Sequence, residues 1–170
     1  HIRDVLVENL AIIDRAEQMD GGLTGITTGF SKLDEMTSGM QKSDLIILAA
    51  RPAMGKTAFA LSLARNAAVK GKASVMIFSL EMAKEQLTQR LLSMESKVDL
   101  QTLKTGRLER RDWDDLNVAL DILSNSNIHI DDTAGISIME MKSKCRRLKA
   151  EAGLDLVIID YLQLMNPEGK

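Results

Sequence analysis

A single cysteine, Cys145, stands among the 170 residues. One thiol forms no internal disulfide and builds no cysteine-based zinc site, which fits a reducing cytosol and a cytoplasmic protein. The two histidines, His1 and His129, lack metal-ligand spacing. No apolar run reaches the roughly 18 residues of a membrane span, so no membrane partner is expected. Arg3 and Asp4 come at once with no apolar block after them, so the N-terminus has no signal-peptide pattern. The net charge is −2, and no bulk basic field announces nucleic acid. Internal repeats and low-complexity segments are missing as well.

What is present is the composition of a globular chain: 45% hydrophobic and 27% charged. Its length suits one domain with a sizeable core. Aromatics contribute only 3%, and the 10 methionines read as packing. His1 is an implausible native start and the chain stops soon after a strong apolar strand, so we expect a piece of a longer protein.

Residues 2–19 carry Ile2, Leu6, Leu10 and Ile13 at helical spacing with charges between them. DGGLTGITTG (20–29) follows, a glycine-rich linker that ends the helix. The helix is either an arm outside the core or packed on its own domain; pattern alone does not choose. The chain then alternates. LIILAA (45–50) predicts a strand, 56–70 a helix and SVMIFSL (74–80) a strand. Helical stretches follow around Leu87, Leu91 and Met94, and around Trp113, Leu116, Leu120 and Leu123. IHIDD (128–132) predicts a shorter strand, 138–152 a helix, and LDLVIID (154–160) the last strand. Apolar strands alternating with helices predict an α/β fold with a mainly parallel sheet. Ser137 and Glu140 have capping-box spacing at the start of the 138–152 helix.

AARPAMGKTAFALSLA (49–64) almost spells the phosphate-binding loop G-x-x-x-x-G-K-S/T, with Ala50 in place of the first glycine. A strand before it and a helix after it are the context such a loop needs. Backbone N–H groups and the positive helix end would cradle an anion. Lys56 would reach the β- and γ-phosphates, and the Thr57 hydroxyl would bind Mg²⁺. Gly55 would let the backbone approach closely. Ala50 removes conformational freedom from the turn, and Pro52 stands ready to shape it instead. Asp160, closing LVIID, sits where a parallel strand presents an acid to a ligand crevice and to Mg²⁺. Glu81 also stands where an apolar strand stops. It is either a base for the attacking water or a first-turn helix acid. On the 138–152 helix, Lys142, Lys144, Arg146, Arg147 and Lys149 read as a solvated face, while Cys145 reads as core.

Four stretches occur in order: TGFSKLDEMTSGMQKSDLIILAARPAMGKTAFALSLA, FSLEM, KCRRLKAE and VIIDYLQLM. Together they closely resemble the RecA-like motor domain of bacterial replicative DNA helicases, the DnaB family. That family has alanine at the first loop position, in ARPxMGKT, so Ala50 agrees with it. The resemblance implies a RecA-like P-loop NTPase fold over 21–170, incomplete here, preceded by a linker helix at 1–20 that docks on a neighbouring subunit of a homohexameric ring. It implies ATP held by Arg51, Pro52, Ala53, Met54, Gly55, Lys56, Thr57 and Ala58. It places Mg²⁺ at Thr57 and Asp160, and a catalytic glutamate at Glu81. Gln163, in DYLQL, receives no role. Single-stranded DNA, primase and a helicase loader are implied as partners, largely through DNA loops, an arginine finger and an N-terminal domain that these residues do not include. The implied activity is 5′-to-3′ DNA unwinding driven by ATP. The alternative is a RecA-like nucleotide-binding module that assembles without translocating.

Overall fold

The computed structural model describes residues 2–18 and 23–166. Part of the linker read over 20–29 lies outside them. The chain divides into two compact units, 1–47 and 48–170.

In the first unit, helix α1 (Ile2–Gln18) carries Ile2, Leu6, Leu10 and Ile13 on its surface, each more than half exposed. Ile26 and Met40 form an antiparallel bridge, with N–H···O distances of 2.9 and 2.8 Å. Gly25 permits it: a Cβ there would collide with the Met40 carbonyl group. Helix α2 (Ser31–Thr37) has Phe30 at its N-cap, with no side-chain cap hydrogen bond. Asp34 organises the approach to it. Its Oδ1 accepts from the Thr28 amide at 2.8 Å and the Thr28 hydroxyl at 2.6 Å, and its Oδ2 accepts from the Thr27 hydroxyl at 2.6 Å. Burial pushes the Asp34 carboxyl up, but these hydrogen bonds outweigh it and hold the group below its usual value.

Asp34→Ala removes the shared acceptor of those donors, two of which are on the buried Thr28. We expect a local cost of about 1–3 kcal/mol, read as faster hydrogen exchange at the Thr28 amide. Because the folded-state pKa is depressed, this stabilisation is present above the unfolded value near 3.8 and is lost as pH falls through the folded one. Wild type and variant should therefore converge in acid. A difference that persists there would rule out the carboxylate as its source.

The second unit is an α/β layer structure. Helix α3 (Lys56–Val69) leads to strand β1 (Val75–Ser79). Helices α4 (Lys84–Ser96), α5 (Leu100–Thr105) and α6 (Arg110–Ser124) precede β2 (Ile128–Asp131). Helix α7 (Ile138–Glu151) crosses to β3 (Leu156–Asp160). The sheet order is β2-β1-β3 and both pairings are parallel, Val75 lying opposite Ile128 and Leu156. β1 is central and every one of its residues is buried. Alternate side chains go to opposite faces. Met76 and Phe78 pack with Ile136 and Met141 of the α7 layer, while Ile77 and Ser79 share a pocket lining with Thr57 and Leu61 of α3. Cys145 packs against the first cluster as expected, and burial raises its thiol pKa.

The predicted strand at 45–50 does not form. These residues belong to neither helix nor strand, and Leu45, Ile46 and Ile47 are exposed. An apolar run supplies strand propensity, but a strand exists only when a neighbour accepts its N–H and C=O groups. Among the described residues the sheet runs from β2 to β3 and includes no such neighbour for this segment. Two side-chain readings also change. Ser137 accepts from the Glu140 amide at 3.2 Å, but Glu140 pairs with Lys144 rather than completing a capping box. Lys144 leaves the solvated face, donating to Asp131 of β2 at 2.6 Å. Lys142, Arg146, Arg147 and Lys149 are less engaged, each partly or fully exposed.

Candidate active site

Parallel strands align their carboxyl ends, and the β1–β3 register sets Ser79 opposite Asp160 at that edge. The loop before α3 arrives with unusual end chemistry. Its N-cap is Gly55, there is no side-chain cap hydrogen bond, and the first turn holds no acid. Helix N-termini ordinarily attract acids; this one opens on Lys56 and Thr57. An uncapped N-terminus with a lysine in its first turn is electrostatically suited to an anion.

The loop's shape explains the alanine. The left-handed positions are Ala53 (φ 63°) and Gly55 (φ 85°), and Ala50 is not among them. The freedom a first glycine would supply is not needed at residue 50. The Met54 amide donates to the Arg51 carbonyl at 3.3 Å, closing a turn around Pro52 and Ala53. Arg51 through Gly55 are exposed, and Ala58 is partly buried in the first turn of α3.

Three of the predicted residues meet. Thr57 Oγ1 donates to Asp160 Oδ2 at 2.5 Å, and Lys56 Nζ lies 3.0 Å from Asp160 Oδ1. Asp160 itself is buried. Lys56 Nζ also lies 4.2 Å from the centre of the Tyr161 ring, a cation–π distance. Glu81 does not join this cluster. It is exposed, one residue beyond Leu80, whose amide donates to the Asp160 carbonyl at 2.8 Å. Tyr161 went unrecognised in the sequence because nothing local marks an aromatic ring as a neighbour of Lys56; its only signal was adjacency to Asp160.

Solved structures share this architecture. One, an ATPase domain, superposes with a TM-score of 0.89 at 39% identity, over 99% of this chain and 60% of that one. A DnaB-like replicative helicase, described with its interactions with primase, gives 0.84 at 39% identity over 94% of this chain and 39% of its own. The class is therefore the α/β ATPase domain of helicases. The profile of the DnaB-like helicase C-terminal domain matches residues 25–170, and the chain belongs to that family. It is 52% identical over its whole length to the replicative DNA helicase DnaC of Bacillus subtilis (strain 168), and 51% identical to the replicative DNA helicase DnaB of Geobacillus stearothermophilus. It spans 37% of the length of each. No helix among the described residues is long and apolar enough to cross a membrane.

Proposed function

We propose that this chain is part of the ATP-hydrolysing motor of a ring-shaped replicative DNA helicase, with residues 1–20 as linker helix and 21–170 within the ATPase domain. The observation that carries the reading is the meeting of Lys56, Thr57 and Asp160 at the carboxyl edge of a parallel sheet. Residues 51–58 would wrap the phosphates, their N–H groups and the α3 dipole favouring the negative charge. Lys56 would move its ammonium from Asp160 towards the β- and γ-phosphates.

Mg²⁺ fits the oxygen donors that Thr57 and Asp160 present; it usually takes one or two protein ligands plus phosphates and water, and would neutralise charge on the transferred group. Among the described residues no cluster of three acidic, histidine or cysteine side chains competes as a metal cage. Glu81 would take a proton from the attacking water, and the γ-phosphoryl group would pass to that water, releasing ADP and phosphate.

The apolar stripe of α1 supports docking on a neighbouring copy, as a linker helix in a homohexamer would. We assign DNA-binding loops, the arginine finger and the surfaces for primase and loader to the parts of the relatives that lie beyond these residues. ATP hydrolysis with and without single-stranded DNA tests this. We expect slow turnover from this chain that DNA does not change, and DNA-stimulated turnover and 5′-to-3′ unwinding from the full-length protein. Strand separation by the 170 residues alone would refute the assignment.

A further inference from the structure

Helix α4 begins without a cap of its own. Its N-cap residue is Ala83, which offers no side-chain acceptor, whereas the first N–H groups of a helix need one. The acceptor comes from the end of a neighbouring strand. Asp132, one residue beyond β2, accepts the Lys84 amide hydrogen bond through Oδ2 at 3.0 Å. Its Oδ1 lies 4.0 Å from Lys84 Nζ. The carboxylate thus stands at the positive end of α4 as a cap borrowed from another strand. Its neighbour Asp131 is engaged elsewhere, with Lys144 at 2.6 Å and the Thr133 amide at 3.0 Å.

Only residues 80–83 separate β1 from α4, and Glu81 is among them. The start of this bridge is tied as well. Buried Ser79 donates from Oγ to the Met82 carbonyl at 2.6 Å and accepts from the Met82 amide at 3.3 Å. The Leu80 amide is held by the Asp160 carbonyl. Glu81 therefore stands on a short span fastened at one end by Ser79 and β3, and at the other by Asp132.

We propose that Asp132 is a positioning residue for Glu81: by capping α4 it fixes the far end of the span that aims the Glu81 carboxylate. This rests on the reading of Glu81 as the base. A general base acts only from within hydrogen-bond reach of the proton it takes. Displacement by about 1 Å can cost around a hundredfold in rate. Asp132 takes no part in the Lys56–Thr57–Asp160 cluster, so its loss should spare nucleotide binding.

The test is steady-state ATP hydrolysis by the full-length protein carrying Asp132→Ala, Asp132→Asn or Glu81→Gln, with binding of a fluorescent ATP analogue measured on each. We expect Asp132→Ala to lower kcat about tenfold or more, with KM and analogue affinity within about twofold of wild type. Asp132→Asn keeps an acceptor oxygen and is itself a good cap, so it should recover most of the rate. Wild-type kcat in Asp132→Ala would overturn the proposal. So would equal losses in the Ala and Asn variants, which would assign the effect to charge, or a parallel loss of analogue binding. Wild-type turnover in Glu81→Gln would overturn the underlying reading of Glu81. Lost turnover in Glu81→Gln beside an unaffected Asp132→Ala would overturn the positioning role alone.

Discussion

Replacing Lys56 by alanine should reduce ATP hydrolysis at least about a hundredfold and weaken binding of an ATP analogue. Removing one donor aimed at charge that develops in a transition state costs on the order of 10²–10³ in rate. Lys56 opens α3 beside an N-terminus that has no acid and no side-chain cap. Its ammonium is held within reach of the site by Asp160 at 3.0 Å and by the Tyr161 ring. The substitution also removes a partner from a buried carboxylate, leaving Thr57 to satisfy Asp160. Circular dichroism alongside the assay would separate this structural cost from loss of phosphate contact. Turnover unchanged by Lys56→Ala would mean that the hydrolysis comes from another site or a contaminant.

Glu81→Gln should behave differently. We expect kcat to fall by about 10²–10⁴, the usual contribution of a positioned general base, while the ATP analogue binds as before. The reason is its place in the structure. Glu81 is exposed at the carboxyl edge of the sheet and takes no part in the ion pair and hydrogen bond that organise Lys56, Thr57 and Asp160. Glutamine keeps the shape and loses the base. If analogue affinity drops in step with turnover, Glu81 contributes to binding and its role as a base is wrong. Unimpaired DNA unwinding by the full-length protein with this substitution would favour a module that assembles without hydrolysis-driven movement.

Much of this candidate site is legible in the sequence. GKT between an apolar run and a helix marks Lys56 and Thr57, and an acid closing an apolar strand marks Asp160, because short-range pattern encodes both. Helix limits came within a residue: 56–70 expected against Lys56–Val69, and 138–152 against Ile138–Glu151. Ala50 posed a question that the motif could not answer. The backbone answers it by placing the left-handed turns at Ala53 and Gly55.

The misreadings share one cause. LIILAA has the apolar residues of a buried strand, yet a strand is a relation between segments, and its pairing depends on chain that must return alongside it. Lys144 looks like one more solvated cation on α7 until β2 brings Asp131 to it. Asp132, expected as the last residue of the 128–132 strand, shows no link to α4 until the sheet carries it to the uncapped start of that helix. Tyr161 shows no link to Lys56 along the chain. Hydrophobic period, motif spacing and turn chemistry act over a few residues, so they give the α/β alternation and mark residues 50–57 as a candidate phosphate loop. Which strands pair, which charges are neutralised and what holds the span around Glu81 were decided by contacts between distant segments, because those energies arise only once the sheet has aligned its strand ends.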